Sequence, residues 1–304
     1  MSKKNFTIGA DPELFMREKD SQKLKSAIPY IEGTKLEPEV LECGAGLQRD
    51  NVALEFASTV ADSGAAFVKS IGNALKEIIK KLPEGHEIVA IPSARFDEDQ
   101  LDHPEARMFG CSPDYDAYIP AQNPPAYCED EAFRSCGGHI HLGYVEGSGN
   151  EFLLDNWGKI NTIITMDAFH GIASVILDSS KEAAERRKLY GKAGCHRPTE
   201  YGVEYRALSN FWIKSPELVM LMYQLSEDVL RLMRDGTFEI LIEDIGKNTL
   251  QDVINSGKVE EATDILENKV KPMLSVATVE VLDMCLEKCG QYEFKQEWRL
   301  ETAA

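Results

Sequence analysis

Positive charge is scarce in this sequence. The chain has 33 lysines and arginines against 51 aspartates and glutamates, which gives a formal net charge of −18. Proteins that bind nucleic acid nonspecifically, or that lie on a membrane surface, need a basic surface. The deficit therefore argues against both classes. It does not exclude a nucleotide ligand, because a phosphate site needs only a few local cations or metal ions.

Long apolar runs and a cysteine framework are also missing. Residues 1–5 lack the apolar core of a signal peptide, and the most apolar long stretch, at about 160–177, is interrupted by Asp167 and His170. The seven cysteines are an odd set without framework spacing, which is typical of reduced thiols. We therefore predict a cytoplasmic protein without a membrane span, located in the host cytoplasm if a phage encodes it.

Two histidines stand at the spacing of a β-strand. In residues 136–144 (CGGHIHLGY), His139 and His141 alternate with Ile140 and Leu142. Because neighbouring side chains of a strand point to opposite faces, both imidazoles share one face and the apolar residues share the other. The pattern predicts a strand that forms the floor of a polar site.

Acidic residues occupy the polar face of two further predicted strands. Asp11 and Glu13 share one face of a first strand over 6–16, and Glu55 lies on the polar face of a strand over 50–56. Each is also compatible with a solvated strand. Taken together, carboxylates with imidazoles favour Mg²⁺ or Mn²⁺. Zinc is disfavoured because thiolates at fixed spacing are absent.

One concentrated basic stretch covers 185–197 (ERRKLYGKAGCHR). Its glycines let backbone amides approach an anion and its cations can hold a polyphosphate, although the spacing is not that of a P-loop. The alternative is a solvated charge run. The next predicted strand, 201–212, carries Glu204 and Arg206 on one face. Lys35, in a turn after Gly33, is either a phosphate or carboxylate contact or part of a surface turn.

Apolar residues at three- and four-residue steps predict amphipathic helices over 59–82, 150–177 and 215–236, followed by shorter helices. Asp167 lies on or beside the apolar stripe of the second helix. A carboxylate there is costly unless it is paired. It either forms a salt bridge with arginines of the next segment or has a catalytic role.

Four short motifs carry a resemblance to a known family. They occupy residues 9–15 (GADPELF), 136–143 (CGGHIHLG), 190–194 (YGKAG) and 202–206 (GVEYR). In this order they resemble the phage-type COOH–NH2 ligases (type 2), which belong with glutamine synthetase and glutamate–cysteine ligase. The resemblance covers roughly residues 6–215.

The resemblance implies a role for individual residues. Asp11 and Glu13 match the acidic pair of the first strand, and Glu55 matches a metal-binding acid of the second. Glu204 and Arg206 match a Glu-x-Arg strand. Two departures concern the metal: Asp11 stands where related ligases often have Glu, and Glu55 is a single acid where glutamine synthetase has two. The number of metal ions is therefore open.

The same resemblance implies that one of His139 and His141 binds the metal and that the other lies near phosphate. The candidates for contacts with the nucleotide phosphates and with an acyl-phosphate intermediate are Arg186, Arg187, Lys192 and Arg197. Arg206 is expected to stabilise the transferring phosphoryl group. Asp167 is expected to take the proton of the ammonium substrate.

For the whole chain, the resemblance implies an α+β fold with a glutamine-synthetase-like curved antiparallel sheet and helices on its outer face. The predicted catalytic core is 1–215, with a helical C-terminal region, 216–304, packed on the same domain. The implied activity is ATP-dependent ligation of a carboxylate to an amine through an acyl phosphate, with Mg²⁺ or Mn²⁺, and an oligomer is compatible with it. The alternatives are a guanidino-kinase-like phosphotransferase, a metal-dependent hydrolase and a noncatalytic binding protein.

Overall fold

The computed structural model describes residues 5–107 and 114–300. Its strands pair in antiparallel fashion, and all but two of them belong to one large sheet. The strands are β1 (Thr7–Glu18), β2 (Leu24–Lys25), β3 (Glu39–Val40), β4 (Gly46–Asp50), β5 (Ala53–Ala57), β6 (His86–Val89), β7 (Ser93–Arg95), β8 (Tyr115–Asp116), β9 (Ala121–Gln122), β10 (Phe133–Ser135), β11 (Gly138–Gly143), β12 (Cys195–Pro198) and β13 (Gly202–Tyr205). The chain is thus a mixed α/β protein.

Helices make up most of the rest of the chain. The α-helices are α1 (Gly64–Lys81), α2 (Asn156–Met166), α3 (Ile172–Leu177), α4 (Lys181–Leu189), α5 (Pro216–Asp235), α6 (Phe238–Ile245), α7 (Lys247–Ser256), α8 (Val259–Ile265), α9 (Val276–Glu287) and α10 (Phe294–Glu297). Beyond α4, the described residues contain only two short strands before the chain becomes helical.

β1 is the central strand of the large sheet. The order along the sheet is β3-β4-β5-β1-β11-β13-β12-β8-β9, with β2 and β6 paired to the C-terminal half of β1. Because side chains alternate, Ile8, Ala10 and Leu14 enter the core on one face of β1. Asp11 and Glu13 lie on the opposite face. The expected first strand is therefore confirmed.

The apolar face of the sheet is covered by helices. One hydrophobic cluster joins Ile8 and Ile140 of the sheet to residues of α1, α2 and α5, and continues into the C-terminal helices. The division at residue 215, with a C-terminal region packed on the same domain, stays a prediction. α5 begins as expected, with Ser215 Oγ accepting a hydrogen bond from the Leu218 amide at 3.2 Å.

Three segments differ from the sequence-based expectation. The segment predicted as one strand over 50–56 contains the turn of a hairpin. Asn51 adopts a φ of 57° in this turn, so β4 ends before it and β5 begins after it. The helix predicted over 59–82 begins at Gly64, capped by Ser63. The helix predicted over 150–177 is interrupted by a π-helical turn, Asp167–Gly171.

Among the described residues, the interrupted helix is also the one that has the length and composition of a membrane span. The stretch Asn156–Leu177 is long and apolar enough to cross a membrane, but 83% of its most apolar window is buried inside the protein. It is a core helix of this fold and no clear membrane span.

Candidate active site

The polar face of the large sheet brings together acids that are far apart in sequence. Asp11 of β1 lies directly opposite His139 of β11, and Glu13 of β1 lies opposite Glu55 of β5. β13 continues the row, because His141 faces Glu204. Five neighbouring strands of the sheet, β4, β5, β1, β11 and β13, therefore direct polar side chains to one side.

The first group is the histidine cluster (Asp11, His139, His141 and Glu204). Asp11 Oδ1 lies 3.2 Å from His139 Nδ1 and 3.3 Å from His141 Nε2. His139 Nδ1 is also 3.7 Å from Glu204 Oε1. Asp11, His141 and Glu204 each offer a ligand atom, and these three atoms lie within 4.8 Å of one another.

Charges within the histidine cluster are strongly interdependent. Burial disfavours ionisation of Asp11, but the two imidazoles outweigh it and hold the pKa of Asp11 well below its usual range. Burial and the Arg206 guanidinium lower the pKa of His139. For His141, burial is outweighed by Asp11, so that its pKa is raised. The two imidazoles are therefore chemically different, which alternation along a strand does not reveal.

The second group is the carboxylate cluster (Glu13, Asp50 and Glu55), whose ligand atoms also lie within 4.8 Å of one another. Burial and repulsion by Asp50 raise the pKa of Glu13 to about 7. Burial and repulsion by its acidic neighbours raise the pKa of Glu55 well above its ordinary value. A divalent cation among these oxygens would remove the repulsion.

Two arginines bracket Glu204. Arg197 Nη1 lies 2.8 Å from Glu204 Oε2, and Arg206 Nη1 donates a short hydrogen bond to Glu204 Oε1. Arg206 Nη1 is also 3.4 Å from His139 Nδ1, and its Nε lies 3.7 Å from Asp114. The buried Glu204 thus fixes the orientation of two guanidinium groups.

A cleft that is open to solvent lies beside both clusters. Its lining combines the carboxylate cluster with arginines and glycines. The lining residues are Glu13, Asp50, Asn51, Asp114, Phe133, Arg134, Ser135, Gly137, His139, Arg186, Tyr190, Gly191 and Arg206. Arg186 is 3% exposed and its Nε has no hydrogen-bond partner within the described part of the chain. The cleft therefore presents positive charge next to carboxylates.

Four predicted site residues lie away from the two clusters and the cleft: Lys35, Lys192, Arg187 and Asp167. Lys35 and Lys192 are exposed, and neither lines the cleft formed by the described residues. Arg187 is buried among helices, where it donates to the carbonyl oxygens of Ser174 and Asp178.

Asp167 is fully buried on the other face of the sheet, where it accepts a hydrogen bond from the Tyr205 hydroxyl at 2.6 Å. Tyr205 alternates with Glu204 and Arg206 along β13, so Asp167 is separated from the cleft by the sheet itself. Neither the salt bridge nor the catalytic role expected of Asp167 is therefore found: its hydrogen-bond donors among the described residues are neutral, and it does not face the site.

Sequence reasoning missed three residues of this face. Asp50 ends β4 and completes the carboxylate cluster, so the region of Glu55 does contain a second acid. Asp114 lies beside Arg206. The Tyr201 hydroxyl is 2.7 Å from His141 Nδ1. Strand spacing gave no signal for Asp50, because its place beside Glu55 depends on the hairpin that turns at Asn51.

Comparison with known proteins adds an independent observation. Residues 131–288, a little more than half of the chain, match the model of the family described as phage phiEco32-like COOH.NH2 ligase-type 2. The match includes β11 and β13, and it begins after the acids of β1 and β5. No curated protein matches the sequence significantly.

Among solved structures, a bifunctional glutathione synthetase from Pasteurella multocida aligns with 98% of this chain and 51% of its own, at 10% identity and a TM-score of 0.47. This chain thus spans about half the length of that enzyme.

Proposed function

The chain belongs to the phage phiEco32-like COOH.NH2 ligase-type 2 family, and from this premise we propose that it is an ATP-dependent, amide-forming carboxylate–amine ligase. It works through an acyl phosphate at a site on the polar face of its sheet. One observation carries the proposal. The two acidic clusters and the arginines Arg186 and Arg206 lie on the same face, beside one cleft. The proposal includes a glutamine-synthetase-like arrangement of this sheet.

The donor set fits Mg²⁺ or Mn²⁺. Among the described residues, Asp11 Oδ1 is buried with only the two imidazole nitrogens close to it, neither of them aligned for a good hydrogen bond, and the carboxylate cluster is rich in hard oxygen ligands. Asp11, His141 and Glu204 would hold one ion, and Glu13, Asp50 and Glu55 a second. Bound there, the cations would neutralise phosphate charge during phosphoryl transfer.

We assign the metal contact to His141 rather than to His139. His141 presents Nε2 to Asp11, and its Nδ1 lies against the Tyr201 hydroxyl, which is the outer-shell support that a metal-bound histidine uses. His139 instead lines the cleft and contacts Arg206 through Nδ1. It is therefore placed to donate from Nε2 to a phosphate oxygen.

The chemistry requires two displacements. An oxygen of the substrate carboxylate attacks the γ-phosphorus of ATP, the bond to the β-phosphate oxygen breaks, and ADP leaves. The amine then attacks the acyl carbon, the carbon–nitrogen bond forms, inorganic phosphate leaves, and the ammonium proton passes to solvent or to a carboxylate. Arg186 and Arg206 supply fixed positive charge for the charge that develops on the phosphoryl oxygens. Glu204 keeps Arg206 in position.

The test is incubation with Mg²⁺, ATP and pools of carboxylates and amines, with mass spectrometry of the products. We expect release of ADP and phosphate that needs both pools, with a new amide. A phosphorylated acceptor without an amide would indicate a guanidino-kinase-like activity instead. Turnover without ATP would indicate a hydrolase, and no turnover across broad pools would count against a ligase.

Glu204→Gln tests the site itself. The amide keeps the shape of the side chain but loses the charge that orients two arginines, so we expect turnover to fall by roughly 100-fold or more. Glu200→Gln is the matched control, because Glu200 is an exposed residue of the same segment. Equal activity of both variants would exclude the assigned site.

A further inference from the structure

Asp167 uses both carboxylate oxygens, although it lies outside the cleft. Its Oδ1 accepts a hydrogen bond from the Tyr205 hydroxyl at 2.6 Å. Its Oδ2 accepts two, from the Tyr118 hydroxyl at 2.8 Å and from the Gly194 amide at 2.7 Å. Asp167 is the first residue of the π-helical turn that interrupts the core helix. Such π-helical turns are frequent at functional sites.

The three donors belong to three separate segments, and each segment carries a residue of the site. Tyr205 is the last residue of β13 and stands between Glu204 and Arg206 in the sequence. Gly194 ends the glycine loop (residues 190–194), which starts at the cleft and leads into β12. Tyr118 follows β8, and the residue before β8 is Asp114, a neighbour of Arg206. One carboxylate therefore ties together the three parts of the chain that position the arginines.

The packing around Gly194 leaves little freedom in this arrangement. Gly194 has a φ of 78°, and a Cβ atom there would lie 2.7 Å from the Tyr118 ring and 2.8 Å from Asp116 Oδ1. The glycine loop therefore packs directly against the Tyr118 segment at the point where Gly194 reaches Asp167. Loss of the acceptor would leave three buried or half-buried donors without their partner, at the desolvation cost of each.

We propose that Asp167 is a positioning residue, which holds β13, the glycine loop and the Tyr118 segment in the arrangement that the nucleotide requires. It touches neither substrate nor metal and acts through Glu204, Arg206 and the loop. The inference rests on the proposed function for the identity of the ligand. The hydrogen bonds by which Asp167 links the three segments do not depend on the proposed function.

Asp167→Leu is the main test, because leucine has the shape of aspartate without its acceptors. The matched control is Asp228→Leu. Asp228 is equally buried and accepts hydrogen bonds from the Ser275 amide, the Thr278 hydroxyl and Arg231, but it joins α5 to α9 within the helical region. Asp167→Asn is the conservative variant, because one amide oxygen can still accept from Gly194 and Tyr118.

Two readouts are measured on the full chain: hydrogen exchange along the backbone and the affinity for Mg-ATP. For Asp167→Leu we expect exchange in 191–206 at least about tenfold faster, and Mg-ATP binding at least about tenfold weaker, which corresponds to the loss of one good interaction. Asp167→Asn should stay within a few-fold of the natural protein. Asp228→Leu should loosen 276–287 and leave Mg-ATP affinity unchanged.

Unchanged exchange in 191–206, or equal effects of the two leucine variants on Mg-ATP, would overturn the proposal. If the natural protein does not bind Mg-ATP, the proposed function fails, while the exchange data still decide whether Asp167 ties the segments. If Asp167→Leu does not fold, the double variant with Tyr118→Phe and Tyr205→Phe removes two donors and leaves the rings. Exchange in 191–206 must then rise, or the proposal is wrong.

Discussion

At the scale of single residues, burial decides the chemistry of Asp167. Burial raises its pKa to about 7 from an ordinary value of 3.8, against three hydrogen bonds that favour the ionised form. Between these pH values the native state binds more protons than the unfolded state. Stability therefore falls as the pH rises from about 4 to about 7, by an amount on the order of 4 kcal/mol from this residue.

The measurement is urea unfolding of the natural protein and of Asp167→Asn between pH 5 and pH 8. Since the asparagine does not titrate, we expect the natural protein to lose stability relative to the variant as the pH rises. Other titrating groups affect both proteins alike. Parallel stability curves would show that Asp167 is ionised throughout this range.

The two histidines are predicted to respond differently to substitution. His141→Gln should weaken Mn²⁺ binding by roughly 10- to 100-fold, because His141 is the assigned ligand. His139→Gln should leave Mn²⁺ affinity within a few-fold and should weaken Mg-ATP. Titration of each variant with Mn²⁺, followed by electron paramagnetic resonance, separates the two. A reversed order would move the metal contact to His139.

Residue types at strand spacing were enough to predict Asp11, Glu13, Glu55, His139 and Glu204 each on the polar face of its own strand. They were not enough for Asp50, because its place depends on a hairpin that a non-glycine residue, Asn51, makes at positive φ. Which residues of different strands face each other could not be predicted either, because strand pairing is set by register and not by local spacing.

At the scale of elements, the glycine loop controls how Arg186 packs. Gly191 has a φ of 69°, and a Cβ atom there would lie 2.0 Å from Arg186 Nη1 and 2.6 Å from the Ala207 carbonyl oxygen. Gly191→Ala should therefore displace the guanidinium and weaken Mg-ATP binding by about tenfold or more, through loss of a charged contact.

Gly236→Ala is the matched control for the loop. Gly236 has a φ of 73° but open space where a Cβ atom would stand, so alanine there adds only backbone strain of about 1–2 kcal/mol. Thermal unfolding and Mg-ATP titration are compared for both variants. Equal loss of stability with equal Mg-ATP affinity would show that Arg186 does not contact the nucleotide.

Long periodic elements were predictable and their interruptions were not. The amphipathic patterns of α1 and α5 gave both helices, with Pro216 and Gly236 marking the ends of the second. The π-helical turn within 150–177 interrupts a continuous apolar periodicity, and its first residue, Asp167, accepts hydrogen bonds from segments that are distant in sequence. The cations of the basic stretch 185–197 were expected to bind a polyphosphate. The first half of this stretch is α4, so only some of its cations reach the cleft.

At the scale of the whole molecule, stability is expected to depend on divalent cations. The chain carries a net charge of −18 and two clusters of buried acids, whose mutual repulsion opposes folding. An ion that binds only the folded chain at 100 times its Kd stabilises it by about 2.7 kcal/mol. We therefore expect Mn²⁺ or Mg²⁺ to raise Tm and a chelator to reverse the effect.

A combined Asp50→Asn and Glu55→Gln variant should lose part of this response. Its basal Tm should rise, because two repelling acids become neutral. Sodium chloride at equal ionic strength is the control, since it screens charge without occupying the clusters. An equal response of the natural protein to sodium chloride and to Mg²⁺ would argue against specific sites.

The central position of β1 restricts the insertions and deletions that the chain can accept. Asp11 serves one cluster and Glu13 the other, and consecutive residues on one face of a strand are about 6.8 Å apart. The repeat of the strand backbone therefore fixes the distance between the two clusters. Deleting or inserting a single residue between Thr7 and Asp11 would turn both carboxylates into the core together. Such changes should be absent from functional relatives, whereas the hairpin that carries Asp50 can change length and cost only one cluster.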